Sequence, residues 1–284
     1  MQTIANSTVI NDDYEHPDKQ IEYILENVLC DEVGCSASED YKTLLEQYNS
    51  VILSVCQCDE SQNCSDCRHG GNYHWNHEAK ELVLQQKRND LIYECTTLCT
   101  CNPNVCLNRL VQNGPRANLK IIDSKIYKSK GLMTTKAIPK GAFICEYAGE
   151  LLTHATATYR IRQNEKNHKM NYILCMNEIN TSDSNRLSTI VDPSLKGNIG
   201  RYLNHSCTPN CELLSVRVDC FIPKIAIFAS RNIAAGEELC FHYGGGMQTS
   251  VDEIADQTNA SAINRIKCLC GTEDCEQFLP CIQF

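Results

Sequence analysis

The sequence predicts a mainly β fold with short helices, an α+β chain, on three observations. Between Leu119 and Tyr243, short apolar stretches (LKIID, GAFICEY, NYILCM, TIVD and KIAIFAS) alternate with the turn-like IPKG, DPSLKGN and AAGEE, which is the spacing of a strand-rich domain. Within it, Ala155 to Lys169 is polar and reads as a helix. On either side of this domain, cysteines gather in polar sequence with too few apolar runs to build a core without metal cross-links.

Taken in order, residues 1–20 are polar and expected to be loose. Ile21 to Leu29, IEYILENVL, has an apolar spacing that fits either a short helix or an alternating strand. A cysteine module is expected over 21–118 and the strand-rich domain over 119–244. A small, polar linker follows at 245–265, and a closing cysteine segment at 266–284. No internal repeat is visible.

A chain of 284 residues buries a sizeable core as one large domain or two small ones, and 42% hydrophobic content makes globular the default. The start, MQTIANSTVINDDYEHPDKQ, has neither the basic flank nor the apolar stretch of a signal peptide. No run approaches the roughly 18 apolar residues of a membrane span. A soluble intracellular protein without a membrane partner is therefore expected. In a reducing compartment its 20 cysteines read as metal ligands, and CxC pairs are too close in sequence to bridge each other easily. The net charge of −9 argues against strong direct binding of nucleic acid and suits a basic peptide.

The first cluster holds Cys56, Cys58, Cys64 and Cys67, then Cys95, Cys99, Cys101 and Cys106. Tetrahedral zinc takes four ligands, so eight thiolates serve two metals unshared. His74 and His77, beside Trp75, read as solvated surface residues. At the other end CLCGTEDC offers Cys268, Cys270 and Cys275, one ligand short of a structural zinc site, with Cys281 a competing donor. Cys145, Cys175, Cys211, Cys220 and Cys240 stand in apolar or strand-like contexts and read as core thiols.

The remaining motifs carry a resemblance. RYLNHSC at Arg201 to Cys207 is followed by GEELCFHYG at Gly236 to Gly244 and by CLCGTEDC, and preceded by EYAGE at Glu146 to Glu150 and the two cysteine clusters. In that order, from about Ile21 to Pro280, they resemble the SET-domain histone-lysine methyltransferases of the heterochromatin type. The resemblance implies a SET β-clip architecture with knot-like C-terminal threading, flanked by pre-SET and post-SET zinc modules. It implies nine pre-SET cysteines around three zincs, with three sulfurs shared. Here one is missing, so either Cys30, Cys35 or His69 is recruited or the module holds two zincs. It also implies Cys207 as the fourth ligand of a single post-SET zinc.

Methyl transfer from S-adenosylmethionine to an amine is an in-line displacement that needs alignment and a neutral amine rather than a metal or a covalent nucleophile. The resemblance assigns Asn204 and His205 to the adenosyl end of the cofactor, with Arg201, Tyr202, Tyr172 and Phe278 shaping the same pocket and Leu279 walling it beside Phe278. Tyr243 is the catalytic positioner and Tyr147 lines the lysine channel. Phe241 occupies the position that limits methyl number, which implies dimethyl or trimethyl products. Two positions depart from the family. Ser129, Lys130 and Gly131, followed by Met133, stand at a cofactor-binding turn that is usually GWG-like, and His242 replaces an acidic residue. The implied substrate is the histone H3 tail or nucleosome, at its ninth lysine position or its thirty-sixth, with the enzyme in the nucleus on chromatin. The rival is a catalytically weak chromatin-binding module on the same zinc scaffold, and cofactor binding separates the two.

Overall fold

The computed structural model describes residues 12–31, 38–59, 62–86, 91–179, 186–244 and 266–280. Among them, strands dominate as predicted, in three four-stranded sheets and two two-stranded ribbons. The strands Leu119–Asp123, Phe143–Glu146, Leu174–Ile179, Arg186–Asp192 and Lys224–Ala229 fall on the five predicted apolar stretches. The predicted helix spans His154–Lys166, started by Thr153, whose hydroxyl accepts from the Thr156 amide. A second helix, Glu39–Tyr48, capped by Ser38, was not anticipated, although Tyr41, Leu44, Leu45 and Tyr48 stand at i, i+3, i+4 and i+7 and Leu44 packs against the core.

Ile21 to Leu29 resolves as strand. Glu22–Tyr23 pairs parallel with Lys196–Gly197, and Val28–Leu29 pairs parallel with Glu150–Leu151. The end of the segment expected to be loose is also tied down. His16 is 4% exposed and bridges the Tyr202 hydroxyl at 2.9 Å and the Gly197 carbonyl at 3.0 Å. The expected linker, 245–265, lies outside the described residues, as do Cys35 and Cys281.

The core sits between the sheets of the strand-rich half, where Leu132, Ile144, Ile225, Ile227 and Phe228 are fully buried. Each such side chain contributes on the order of 1.5–3 kcal/mol by leaving water. Cys145 and Cys211 belong to this core and Cys240 is buried, whereas Cys175 and Cys220 are half-buried. Arg160 of the second helix donates to Glu150 and Asp192, both at 2.8 Å, and so anchors the helix to the sheet with its charge paired. Arg160 also lies 3.4 Å from the Cys30 sulfur. Cys30 thus packs with Leu152 and Ala157, away from the cysteine cluster, and is not its ninth ligand.

Two pairings make the site. Asn204–His205 runs parallel to Cys240–Phe241, which brings RYLNHSC against GEELCFHYG. Glu238–Leu239 pairs in turn with Leu132–Met133, which brings the Ser129–Gly131 turn to the same edge.

Candidate active site

One half of the candidate site is built around Asn204. Its amide nitrogen donates to the Lys130 carbonyl at 3.1 Å and to Glu238 Oε1 at 2.9 Å, while the Ser129 hydroxyl donates to its Oδ1 at 3.3 Å. Gly131 is required here by a close approach. A Cβ at that position would come within 2.3 Å of Glu238 Oε1 and 3.3 Å of the Asn204 amide. Glu238, also held by the Ser124 hydroxyl at 2.8 Å, is a supporting residue that the GEEL run does not reveal from sequence alone.

Arg201 lays its guanidinium 4.5 Å from the centre of the Tyr172 ring and 5.1 Å from that of Tyr202. Its Nε donates to the Pro193 carbonyl at 3.0 Å, which fixes the plane of the stack. Because the Tyr202 hydroxyl is engaged with His16, Tyr202 braces Arg201 and Tyr172 forms the other face.

The aromatic half collects Tyr147, Phe241 and Tyr243. The Tyr147 ring meets Phe241 edge-on at 5.8 Å, and Phe241 lies 5.0 Å from Tyr243. Tyr147 donates its hydroxyl to the Tyr172 carbonyl at 2.6 Å, and Tyr243 donates to the Leu203 carbonyl at 3.0 Å. Burial pushes both phenols above their ordinary range, so each stays a neutral hydroxyl and neither serves as a base at neutral pH. Phe241 is 2% exposed and carries no polar atom into this cluster.

His205 links this half to the tail. The Tyr243 amide donates to its Nδ1 at 3.1 Å, so the ring proton sits on Nε2, 3.3 Å from the Cys207 sulfur. Burial and the neighbouring His242 push His205 down to about 4, which keeps this tautomer neutral. His242 in turn lies 3.7 Å from Glu276 of the tail.

Cys207, Cys268, Cys270 and Cys275 bring their sulfurs within 4.8 Å of one another, with Cys207 and Cys268 3.8 Å apart. Zinc–sulfur bonds of about 2.3 Å in a tetrahedron place sulfurs about 3.8 Å apart, so the donor set fits a structural zinc ion. None of the four is in a disulfide. Burial opposes ionisation of Cys270, but the Thr272 hydroxyl and backbone amides bring it down to about 6. Backbone amides of Glu276 and Gln277 point at Cys207 and Cys275, both at 3.4 Å. Pinned there, the tail brings Pro280 to 3.5 Å from where a Cβ on Gly244 would stand, while Phe278 keeps 37% of its surface exposed beside Leu279.

All eight cysteines of the first module also converge. Cys56, Cys64, Cys67 and Cys95 form one close group and Cys64, Cys95, Cys101 and Cys106 another. Cys58 is flanked by Cys64 and Cys56. His74 and His77 are exposed, as expected.

The SET domain family pattern matches residues 129–244. The mouse histone-lysine N-methyltransferase SETMAR is 38% identical over 234 residues, covering 81% of this chain and 74% of that protein. The crystal structure of the methyltransferase domain of human SETMAR superposes with a TM-score of 0.69 at 31% identity, over 92% of this chain and 89% of that one. Arabidopsis thaliana SUVH6, solved in complex with SAM, superposes with a TM-score of 0.67 at 25% identity, over 95% of this chain and 52% of that one. The resemblance to the SET half of SETMAR thus holds across sequence and fold, and the chain belongs to the SET-domain family, among the histone-lysine N-methyltransferases related to SETMAR.

Proposed function

We propose that the protein is an S-adenosylmethionine-dependent protein-lysine N-methyltransferase acting on the histone H3 tail, in the nucleus and on chromatin. The observation that carries this reading is the convergence of Asn204, the Ser129–Gly131 backbone and the Tyr147–Phe241–Tyr243 cluster on one edge, joined through His205. A peptide-binding module without chemistry has no use for that convergence. The named activities of SETMAR and the SAM complex of SUVH6 support the same reading.

The residues present suit the cofactor. Asn204, with both amide atoms held, the side-chain-free edge at Gly131, and the Arg201–Tyr172 stack are the groups that would hold it. When bound, S-adenosylmethionine supplies a sulfonium methyl group open to attack by an amine. The chain's own residues then have three tasks. Tyr243, fixed by the Leu203 carbonyl, orients the lysine nitrogen through its oxygen. Tyr147 and Phe241 narrow and dry the channel, which favours the neutral amine over an ammonium whose ordinary pKa is roughly 10.4. Phe241, lacking a hydroxyl, holds no water against the nitrogen and leaves room for successive methyl groups, giving dimethyl or trimethyl product. The ninth lysine position of H3 is the favoured target and the thirty-sixth the alternative.

The test is methyl transfer from labelled S-adenosylmethionine to recombinant nucleosomes and H3 peptides, with mass spectrometry naming the lysine. Label on H3 that Tyr243→Phe lowers by about 100-fold or more, with Asn204→Ala weakening cofactor binding, is the expected result. A folded, zinc-loaded protein that binds H3 but not the cofactor would establish the binding-module reading instead.

A further inference from the structure

Three zinc ions in tetrahedra need twelve ligand contacts, which nine donors supply when three of them each serve two metals. The first module has eight converging cysteines, and the structure places one further donor against them. His69, only 5% exposed, points its Nδ1 at the Cys99 sulfur, 3.8 Å away, and forms a close group with Cys95 and Cys99. A zinc–nitrogen bond of about 2.05 Å and a zinc–sulfur bond of about 2.3 Å put the two donors about 3.6 Å apart. The other ring nitrogen, Nε2, lies 3.3 Å from the Ser54 hydroxyl. A metal-bound imidazole has this arrangement, with one nitrogen bare toward the metal and the other N–H held by an oxygen. The backbone is fixed too, since the Asn72 amide donates to the His69 carbonyl at 2.7 Å.

We propose that His69 is the ninth ligand of a three-zinc cluster, bound through Nδ1. The shared donors are Cys56, Cys64 and Cys95. Cys56 lies 4.0 Å from each of the other two or shares a close group with it, and Cys64 and Cys95 recur together in both four-cysteine groups. One metal then takes Cys64, Cys95, Cys101 and Cys106. A second takes Cys56 and Cys64 with Cys58 and Cys67, whose sulfur is in close range of both shared donors. The third takes Cys56, Cys95, Cys99 and His69. The backbone amide of Cys56 reaches the Cys99 sulfur at 3.3 Å, which holds this last corner together. The sequence Cys67-Arg68-His69 explains the distribution. Cys67, three residues after Cys64, lies among Cys56, Cys64 and Cys95, 4.0 Å from the Cys95 sulfur, and the histidine two residues on reaches the Cys99 corner.

The experiment is metal counting on the full chain, joined to nuclear magnetic resonance of protein carrying spin-active cadmium and nitrogen isotopes. The proposal expects four metals per chain, three in this cluster and one at Cys207, and a one-bond coupling between one cadmium and one imidazole nitrogen. His69→Ala should lose that coupling and release one metal to a chelator at least tenfold faster, and His69→Cys should restore four tightly held metals. Four metals with no cadmium–nitrogen coupling would show that His69 only hydrogen-bonds Cys99 and would overturn the proposal. Three metals per chain in the unaltered protein would overturn it in favour of two unshared sites in the module.

Discussion

The two halves of the molecule are held together by different physics. In the strand-rich half the buried residues are large and apolar, with Leu132, Ile144, Ile225, Ile227 and Phe228 all removed from water, and the hydrophobic effect alone accounts for a core. In the first cysteine module Tyr73, Leu84, Ile92 and Val111 pack into that core, while Cys56, Cys64, Cys95, Cys99, Cys101 and Cys106 form a separate buried cluster. Thiols add little by burial, and this cluster has the form of a metal site, where metal binding would be folding free energy. The tail repeats the second pattern on a smaller scale. Ile266, Leu269 and Phe278 are 49%, 42% and 37% exposed, and the tail's three cysteine sulfurs gather at Cys207. The proposed active site stands on the seam, where Cys207 of the apolar half joins the three tail sulfurs and its neighbour His205 accepts from the Tyr243 amide.

The largest expected effect comes from stripping the metals. Exhaustive chelation at neutral pH should abolish methyl transfer and open residues 56–106 to protease, while the far-ultraviolet strand signal of residues 119–244 largely survives. A metal-free protein that still resists protease over 56–106 would erase the distinction between the halves.

A smaller effect separates chemistry from architecture. Phe241→Tyr adds a hydroxyl in a cluster whose neighbours, Tyr147 and Tyr243, already use theirs on carbonyls. Mass spectrometry of the product should show the dimethyl and trimethyl fractions falling about tenfold, with the first methylation changed by less than about threefold. An unchanged product distribution would remove Phe241 from the channel.

The smallest effect lies in the strand-rich half alone. Burial would raise Glu237, yet Arg231, the Asn210 amide at 3.0 Å and the Ala234 backbone amide at 3.0 Å bring it down to about 2. A carboxylate depressed in the folded state stabilises above its ordinary value of 4.5, and that contribution is lost as pH falls toward 2. Glu237→Gln should therefore lower the unfolding midpoint modestly at pH near 7, with the gap to the unaltered protein closing as the solution is acidified. A gap constant with pH would rule out the carboxylate charge as its source.

Much of this was legible in the sequence where a local pattern has a local cause. The five apolar stretches became strands, the thiolates of CLCGTEDC met Cys207, and the tyrosines and asparagine of the short motifs converged. What stayed illegible depends on distant partners. Ile21 to Leu29 could not be assigned because its strands pair with residues 150–151 and 196–197, far along the chain. His16 looked like part of a loose start because its partners, Gly197 and Tyr202, are more than 180 residues away. Glu238 was invisible as a support for Asn204 because nothing in a run of acidic residues says which one faces an amide.

The central claim is that a metal-pinned tail completes an active site carried by the apolar half. Its most direct test is Cys275→Ser, which removes a tail ligand without touching RYLNHSC, read by steady-state methyl transfer beside thermal unfolding. Cys275→Ser should lower kcat/KM by about 100-fold or more. The main unfolding midpoint should shift by no more than about 4 °C, since the hydrophobic core is unaltered. Activity within about twofold of the unaltered protein, with the post-SET zinc shown to be absent, would contradict it.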